Sequence, residues 1–312
     1  MRKMVSTRTG FGQGLVELAA KRSEVMAASA DTYRSFALGE FVEKYPDRYY
    51  EFGIAEQNML TASGAMAAEG YCIFAVGYSP FLSMRALEQI RTFVAYPNLN
   101  VKVVAGLSGL SGDTDGVTHQ GTEDVGIVRT IPNMMLLCPA DAVAARAFVK
   151  IAADVEGPVY LRLGRGSTPV LYGEDQEFTF GKAIHVREYG KKAVVIACGS
   201  CVYEAAAAAD ALKEKGTGIT VLDMHTIKPL DTESIALCCQ DADSVITVED
   251  GTIYGLGSAV AEALLEHRIV PKHFKRLGLT TFGTAGTYQE LLHFYGLDAE
   301  GIAAAVEASA NA

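Results

Sequence analysis

The sequence predicts an α/β protein with two open, largely parallel sheets, one in each of two domains. Its apolar runs are short and continuous, as in strands that are buried on both faces of a sheet. Segments of helical periodicity separate these runs along the chain, which is typical of parallel sheets covered by helices. At 312 residues and 49% apolar composition, the chain is long enough for two domains, each with its own core.

In the first domain, helical and strand-like segments alternate from the start. Pro80 supports one helix, because its missing N–H costs nothing in a first helical turn. Asp141 is an N-cap candidate for another helix. The predicted helices are 10–21, 34–44, 55–69, 80–96, 123–131 and 142–154, and the predicted strands are 25–30, 49–53, 71–78, 101–107, 134–138 and 159–163.

The alternation breaks at residues 164–180, where Gly-Arg-Gly-Ser-Thr-Pro is followed by acids. We therefore predict a first domain over 1–166, a linker over 167–180 and a second α/β domain over 181–312. The second domain has predicted strands at 193–198, 219–224 and 244–248, and predicted helices at 203–215, 232–240, 258–267, 288–295 and 299–308.

Charge and cysteine content exclude several classes of function. The net charge of −10 argues against binding to nucleic acids or anionic membranes, which need a positive surface. The sequence shows neither a membrane-length apolar run nor an amino-terminal signal segment, so we expect a soluble, cytoplasmic protein. The six cysteines do not form a disulfide framework. Cys198 and Cys201 form a C-x-x-C, which we interpret as buried free thiols, with a redox or metal role as the alternative.

Three strand ends carry unusual residues, and ligands bind beyond strand ends in parallel sheets. Glu56 begins a helix that is otherwise small and apolar; it is either a surface acid favoured by the helix dipole or a carboxylate removed from water that handles a proton. Tyr78 and Phe81 flank a strand-to-helix turn, where Phe81 either packs in the core or stacks on a flat cofactor ring.

The third strand end opens a glycine-dense loop, residues 106–121, that contains Asp113, Asp115 and His119. Such a loop is usually functional, because it is costly to order and packs poorly. His119 is suited to acid, base or hydrogen-bonding work near neutral pH. The loop is neither a P-loop nor a dinucleotide fingerprint.

These features occur together in the transketolase family, which the sequence resembles over essentially its whole length. The first domain is similar to the pyrimidine-binding domain of transketolases, and the second to their carboxyl-terminal domain. The nearest form is the separate carboxyl-terminal subunit of a split transketolase. The motifs that carry the resemblance are Gly53–Met59, Asp115–Gln120, Ile131–Met134, Pro139–Asp141, Pro158–Arg165, Leu222–Asp231 and Val248–Gly257.

The resemblance implies thiamine diphosphate as cofactor, which supplies a carbon nucleophile and an electron sink. It gives Glu56 the role of the family glutamate that hydrogen-bonds the aminopyrimidine ring nitrogen. Phe81 is the choice for stacking on that ring, with Tyr78 as the alternate. His119 matches the histidine near the reacting carbon of the donor sugar, and Asp115 a residue that contacts sugar hydroxyls.

The resemblance also implies a set of residues for the sugar phosphate. Arg8, Ser35 and Arg165 match the family's phosphate contacts, and arginine suits this task because it presents a fixed fork of donors. Without the resemblance, Arg8 and Arg165 would be interpreted as surface charges near the chain terminus and the linker. Arg162 is a weaker candidate. His225, in the second domain, is interpreted as structural or interfacial rather than catalytic.

Two departures from the family pattern bear on function. The family's second histidine, at the start of the glycine loop, is replaced by the stretch Ala105-Gly-Leu-Ser, which puts the ordinary pentose-phosphate pair in doubt. The Gly-Asp-Gly…Asn motif that holds the diphosphate and Mg²⁺ is missing, and Glu249-Asp-Gly251 is not that motif. The resemblance therefore implies an amino-terminal partner subunit that supplies the metal site in an α2β2 assembly.

The function that follows is transfer of a two-carbon ketol unit from a ketose phosphate to an aldose, active only with the partner. Within enzymes, the alternative is a reaction like that of deoxyxylulose-phosphate synthase or a 2-oxoacid decarboxylation. Outside enzymes, the alternative is a non-catalytic assembly subunit of the same fold.

Overall fold

Helices and strands alternate through residues 3–310, which are the residues that the structure, a computed structural model, describes. The strands are β1 Met4–Ser6, β2 Val25–Ser29, β3 Tyr49–Glu51, β4 Cys72–Tyr78, β5 Val101–Gly106, β6 Met135–Leu137, β7 Val159–Arg162, β8 Ser167–Pro169, β9 Ile184–Glu188, β10 Ala193–Ala197, β11 Thr220–Asp223, β12 Thr226–Lys228, β13 Ser244–Thr252 and β14 His273–Leu279.

The helices cover both faces of the sheets. They are α1 Thr7–Ala19, α2 Gly39–Lys44, α3 Glu56–Ala68, α4 Leu87–Gln89, α5 Asp124–Val128, α6 Ala142–Asp154, α7 Cys201–Glu214, α8 Thr232–Cys239, α9 Leu256–Glu266, α10 Tyr288–Phe294 and α11 Ala299–Ala310. The segments Phe81–Arg85 and Ile90–Ala95, on either side of α4, are π-helical. No helix in the described part of the chain is long and apolar enough to cross a membrane.

The strands form two mixed sheets and one small ribbon. The first sheet has seven strands in the order β12-β6-β7-β5-β4-β2-β3, and all of them are parallel except β12. The second has five strands in the order β14-β13-β10-β11-β9, with β9 antiparallel. β1 and β8 form a separate antiparallel pair. The predicted fold class, α/β with two open and largely parallel sheets, is confirmed.

One predicted helix is wrong in its first half. Residues 34–37 form turns, and only Gly39–Lys44 of the predicted 34–44 is helical. Ala37 has a φ of 56°, in the left-handed region, which a right-handed helix excludes. The turn buries Phe36, which packs against Phe11 and Tyr78. Burial of this ring thus prevails over helix propensity.

Five strands are missing from the sequence-based prediction: β1, β8, β9, β12 and β14. The last three lie at the edges of their sheets. An edge strand is covered less completely, and its sequence lacks a continuous apolar run. His273–Leu279 shows this, since it carries Lys275 and Arg276 and most of it is partly exposed.

A buried ion network joins the two sheets. The Nε of Arg162, at the end of β7, lies 3.0 Å from Oδ2 of Asp124 in α5. Its Nη1 lies 2.7 Å from Oδ1 of Asp250 in β13. The Tyr288 hydroxyl donates to Asp250 Oδ2 at 3.0 Å. Arg162, the weaker candidate for the sugar phosphate, is therefore buried with its charge already balanced by two carboxylates.

The segment predicted as a linker, 167–180, is bonded to the start of α6 and to the second sheet. Asp141 caps α6 through the N–H of Ala144, and its second oxygen accepts the N–H groups of Leu171 and Tyr172. The Tyr172 hydroxyl donates to Asp223 Oδ2, at the end of β11, at 2.6 Å. The bounds of the two domains stay a prediction.

Asp223 is expected to make stability fall with rising pH. Burial raises the pKa of its carboxyl to about 8, so the folded protein keeps a proton that the unfolded chain releases above about pH 4. This stabilisation is complete below the ordinary aspartate pKa and is lost as the pH rises through 8. We expect the free energy of unfolding to fall by about 1–2 kcal/mol more in the wild type than in Asp223→Asn between about pH 6.5 and 8.5.

Three other buried groups also change the stability with pH. Burial lowers the pKa of Lys102 to about 8, so this group makes the stability rise with pH above about that value. Burial lowers the pKa of His225 to about 4, so this group makes the stability rise with pH, but only below the ordinary histidine pKa. Burial raises the pKa of Glu249 to about 7. Like Asp223, this group therefore makes the stability fall with rising pH, but its effect ends above about pH 7. Urea unfolding at several pH values measures the slope. Equal slopes in the wild type and in Asp223→Asn would show that Asp223 is ionised in the folded protein.

The cysteines are free, as the main interpretation of the C-x-x-C predicts. Cys198 and Cys201 are fully buried. A hydrogen bond with Cys138, together with burial, raises the pKa of Cys198, and burial raises that of Cys201. Thiols of this kind are poor nucleophiles and poor metal ligands.

Candidate active site

The carboxyl ends of four neighbouring strands meet at one edge of the first sheet. These strands are β5, β4, β2 and β3, in that order. The chain segments that follow them contain the glycine loop, the turn to Phe81, the turn with Ser35 and the start of α3. The sheet topology thus brings together four segments that are far apart in the sequence, as expected for a ligand site in a parallel sheet.

Glu56 is the first residue of α3 and is buried, with 3% of its side chain exposed. The tight turn before it requires Gly53, whose φ is 63°. Oε2 of Glu56 lies 3.1 Å from Nη1 of Arg85, whose side chain is 47% exposed. Of the two interpretations of Glu56, the structure supports the one in which the carboxylate is removed from water.

Aromatic rings line the site next to Glu56. Phe81 has its ring centroid 5.3 Å from that of His119, in an edge-to-face arrangement. Tyr78 lies 6.2 Å from Phe81 and 6.3 Å from His119. The Tyr78 hydroxyl is hydrogen-bonded to Ser35 Oγ at 3.1 Å. The structure therefore joins Phe81, His119, Tyr78 and Ser35 in one group, beside Arg85, whose Cζ lies 4.3 Å from the Phe81 centroid.

The glycine loop brings His119 to this group by folding back on itself. A Cβ on Gly112 would lie 2.4 Å from the carbonyl oxygen of His119. A Cβ on Gly109, whose φ is 59°, would lie 2.5 Å from the Asp250 carboxyl. At both positions a side chain would displace the loop. The His119 Nδ1 is hydrogen-bonded to Thr118 Oγ1 at 3.0 Å, which leaves Nε2 for a ligand.

Arg8, Arg165 and Asp115 form a second, charged group. Arg165 Nη1 lies 2.5 Å from Asp115 Oδ2, and Arg8 Nη2 donates to the Arg165 carbonyl at 2.6 Å. Burial lowers the pKa of the Arg8 guanidinium, and Tyr78 opposes this shift. Arg8 Nε is a buried donor without a hydrogen-bond partner. An unpaired donor on a partly desolvated cation is suited to an anionic ligand.

His225 lies away from this edge, in the core between the two sheets. It is buried, and its ring packs 5.0 Å from Phe148 and 6.0 Å from Phe178. Its environment agrees with the interpretation that it is structural.

Arg85 is the residue at the site that the sequence analysis missed. The sequence could have indicated it, because Arg85 follows Phe81 by four residues in a predicted helix and residues four apart lie on one helical face. The interaction of Arg85 with Glu56 had no such signal, because it spans 29 residues.

Comparison with known proteins identifies the family. Residues 3–170 match the family described as "Transketolase, pyrimidine binding domain", and residues 181–302 match "Transketolase, C-terminal domain". The chain belongs to the transketolase family. The resemblance seen in the sequence motifs is confirmed, and the two matched regions contain the two large sheets of the structure.

The relatives include separate subunits of split transketolases. The chain is 40% identical over 300 residues to a putative transketolase C-terminal section of Methanocaldococcus jannaschii, covering 95% of this chain and 93% of the relative. It is 36% identical to one subunit of the apulose-4-phosphate transketolase of Phocaeicola vulgatus, covering 96% of each. It is 38% identical to a 6-deoxy-6-sulfo-D-fructose transketolase subunit of Clostridium sp., covering 92% and 89%.

A solved structure of the same transketolase type superimposes on nearly the whole chain. It is an inactive β4 tetramer of a split-gene transketolase, with a TM-score of 0.91 and 36% identity, covering 98% of this chain and 99% of that one. The present chain is therefore homologous, along nearly its whole length, to one subunit of a split transketolase.

Proposed function

We propose that this chain is the carboxyl-terminal subunit of a two-subunit transketolase that transfers a two-carbon ketol unit from a ketose phosphate to an aldose acceptor. The observation that carries the proposal is the convergence of a buried carboxylate, Glu56, with Phe81 and His119 at the strand ends. The charged group of Arg8 and Arg165 is joined to the glycine loop through Asp115 and offers a place for a phosphate at the same edge.

The site residues fit half of a thiamine diphosphate site. When bound, this cofactor supplies a carbon nucleophile and an electron sink. Phe81, with Tyr78 as the alternate, offers an aromatic ring for stacking on the aminopyrimidine. The Oε1 of Glu56, the oxygen not bonded to Arg85, is available to share a proton with the ring nitrogen. Its burial strengthens that hydrogen bond, because water does not compete for it.

The other site residues act on the substrate. His119 orients the donor sugar near the reacting carbon and exchanges a proton through Nε2. Arg8 and Arg165 hold the sugar phosphate, and the Ser35 hydroxyl adds a hydrogen bond to it. Asp115 keeps Arg165 in place through their ion pair and reaches the sugar hydroxyls from the same loop.

The diphosphate half of the site, with Mg²⁺, is expected from the amino-terminal subunit. The nearest approach to its motif in this chain is Glu249-Asp250-Gly251, and both acids are already bonded. Glu249 accepts the N–H groups of Leu256 and Gly257, and Asp250 is paired with Arg162. These carboxylates are therefore not free to bind a metal.

The rim of the site suits a protein partner. Ile54 is 75% exposed just before Glu56, Met84 is 42% exposed next to Arg85, and Val117 is 45% exposed in the loop of His119. Exposed apolar side chains grouped around a site are typical of a surface that another protein covers. We infer an α2β2 assembly in which the amino-terminal subunit covers this rim, without a nucleic-acid or membrane partner and in the cytoplasm.

The acceptor sugar is proposed to differ from the ordinary pentose phosphates. The family's second histidine is replaced here by the stretch Ala105-Gly-Leu-Ser, so one phosphate-binding side chain is missing. Two of the relatives carry names that refer to apulose 4-phosphate and to 6-deoxy-6-sulfo-D-fructose. A modified or branched acceptor is consistent with both facts.

Co-expression tests the proposal. We expect this chain to co-purify with the protein encoded next to it that carries the Gly-Asp-Gly motif. The complex, with thiamine diphosphate and Mg²⁺, is expected to transfer ketol units from ketose phosphates, and each subunit alone to be inactive. Absence of a complex would contradict the split-subunit assignment.

The same assay distinguishes the alternatives. Turnover of pyruvate without turnover of ketose phosphates would favour the reaction of deoxyxylulose-phosphate synthase or a 2-oxoacid decarboxylation. A stable complex that turns over neither class of substrate would favour a non-catalytic assembly subunit.

A further inference from the structure

The end of the glycine loop is held by the second domain. Gln120, the residue after His119, is 2% exposed, and its Nε2 donates to the Thr284 carbonyl at 2.8 Å. Thr284 belongs to residues 280–286, a largely exposed segment between β14 and α10. One side-chain amide therefore joins the loop that carries His119 to a segment that lies 164 residues further along the chain.

We propose that Gln120 is a positioning residue, whose bond to segment 280–286 fixes the His119 end of the glycine loop for sugar binding. The inference rests on the proposed function, in which His119 and Asp115 act on the sugar. It adds to that function a role for the second domain, which supports the sugar-binding loop through this bond.

The tip of the loop, residues 113–119, has little burial of its own. Within residues 113–120, Gln120 is buried and the others are partly or fully exposed. Asp113 opens the tip with a φ of 52°, which residues with a side chain rarely adopt. The Gln120 Nε2 also lies 3.5 Å from the Asp113 carbonyl oxygen, so one amide faces both ends of the tip. A segment with few buried contacts depends on such anchors for its order.

The second domain accepts the Gln120 amide because Gly283 has no side chain. A Cβ on Gly283 would lie 2.2 Å from Gln120 Oε1. Oε1 is buried without a hydrogen-bond partner, whereas Nε2 faces two carbonyl oxygens, so the amide holds the loop through its nitrogen. Ala285 supports the tip as well, since a Cβ on Gly116 would lie 3.7 Å from the Cβ of Ala285.

Gln120→Met tests the inference in the two-subunit complex, because methionine has a similar volume and cannot donate to the Thr284 carbonyl. We expect the KM for the ketose phosphate to rise about tenfold, the effect of one lost buried hydrogen bond. The Kd of thiamine diphosphate should stay within about twofold of the wild type, because the groups assigned to its ring lie outside the loop. General destabilisation would instead lower the amount of active complex, and hence kcat, without changing KM.

Gly283→Ala reaches the same bond from the second domain, because the new Cβ displaces Gln120 Oε1. It is expected to raise KM about as much as Gln120→Met does. Gln120→Ala removes the overlap, so in that background Gly283→Ala should change KM by less than about twofold.

Two controls lie in the same segment, and both are expected to keep the wild-type KM. In Gly286→Ala, the new Cβ would meet Leu291 Cδ2 at 3.4 Å, an ordinary contact. Thr284→Ala removes an exposed side chain and keeps the carbonyl to which Gln120 donates.

Hydrogen exchange of the complex without substrate gives a readout that does not depend on activity. We expect the amides of residues 113–120 to exchange faster in Gln120→Met and in Gly283→Ala than in the wild type, and those of α6 to be unchanged. If Gln120→Met does not assemble, Gly283→Ala carries the test.

A wild-type KM in both variants would overturn the inference, and so would unchanged exchange of residues 113–120. A full effect of Gly283→Ala in the Gln120→Ala background would also overturn it, because the two residues would then act independently. A wild-type complex that transfers no ketol unit would instead refute the proposed function, and the exchange measurement would still decide whether Gln120 holds the loop.

Discussion

Replacement of Glu56 by Gln is expected to lower kcat for ketol transfer in the two-subunit complex by about 100-fold or more. The substitution keeps the size of the side chain and removes only its ability to hold and release a proton. Because Glu56 is buried and bonded to Arg85, which packs on Phe81, water does not readily replace the carboxylate at this position. Steady-state kinetics with a ketose phosphate donor, thiamine diphosphate and Mg²⁺ measure the change.

The matched control is Glu69→Gln, at the other end of the same helix. Glu69 is exposed, and its replacement should leave kcat and KM within about twofold of the wild type, since exposed substitutions of this kind are close to neutral. A Glu56→Gln complex that retains wild-type kcat would refute the assignment of this carboxylate.

Replacement of Arg162 by Met is expected to destabilise the chain by about 3–5 kcal/mol, the usual cost of leaving buried carboxylates without their cation. Arg162, at the end of β7, bridges Asp124 in α5 and Asp250 in the second sheet, and all three side chains are at most 5% exposed. Methionine has a similar volume and no charge. Urea unfolding measures the loss.

Two further variants locate the origin of this loss. Arg34→Met, which removes an exposed arginine bonded to Tyr33, should cost less than about 1 kcal/mol. Adding Asp250→Asn to Arg162→Met should recover part of the stability, because it removes one of the two unpaired charges. A loss below about 1 kcal/mol in Arg162→Met would show that the ion network does not hold the sheets together.

The buried network also links stability to the site. The Asp250 carboxyl lies directly against Gly109, in the loop that carries Asp115 and His119. If the network is broken, we expect a higher KM for the sugar phosphate in the complexes that still assemble, because the loop loses the surface on which it rests.

Most of the fold could be predicted because its strands are buried on both faces. Continuous apolar runs such as Cys72–Tyr78 and Ala193–Ala197 follow from that burial and are visible in the sequence. The edge strand His273–Leu279 was not visible, since it is partly exposed and carries charges. The turn at Phe36 was missed because its driving force is the packing of one ring against residues far away in the chain.

The candidate site shows the same division. Glu56, Phe81 and His119 are marked in the sequence by local context: a helix start, a strand-to-helix turn and a glycine-rich loop. The missing Gly-Asp-Gly motif is also a property of the sequence, and the expectation of a partner subunit depends on it. Parallel strands with their ends at one edge make it possible to expect that these three side chains converge.

The sequence by itself determined the α/β class, the order of the buried strands, the family and the residues at which chemistry can occur. Only the tertiary structure decided which charges meet. Arg85 with Glu56 and Arg162 with Asp250 are separated by 29 and 88 residues. An ion pair depends on the distance between two atoms and on the exclusion of water, and packing sets both. No local pattern in the sequence records either quantity.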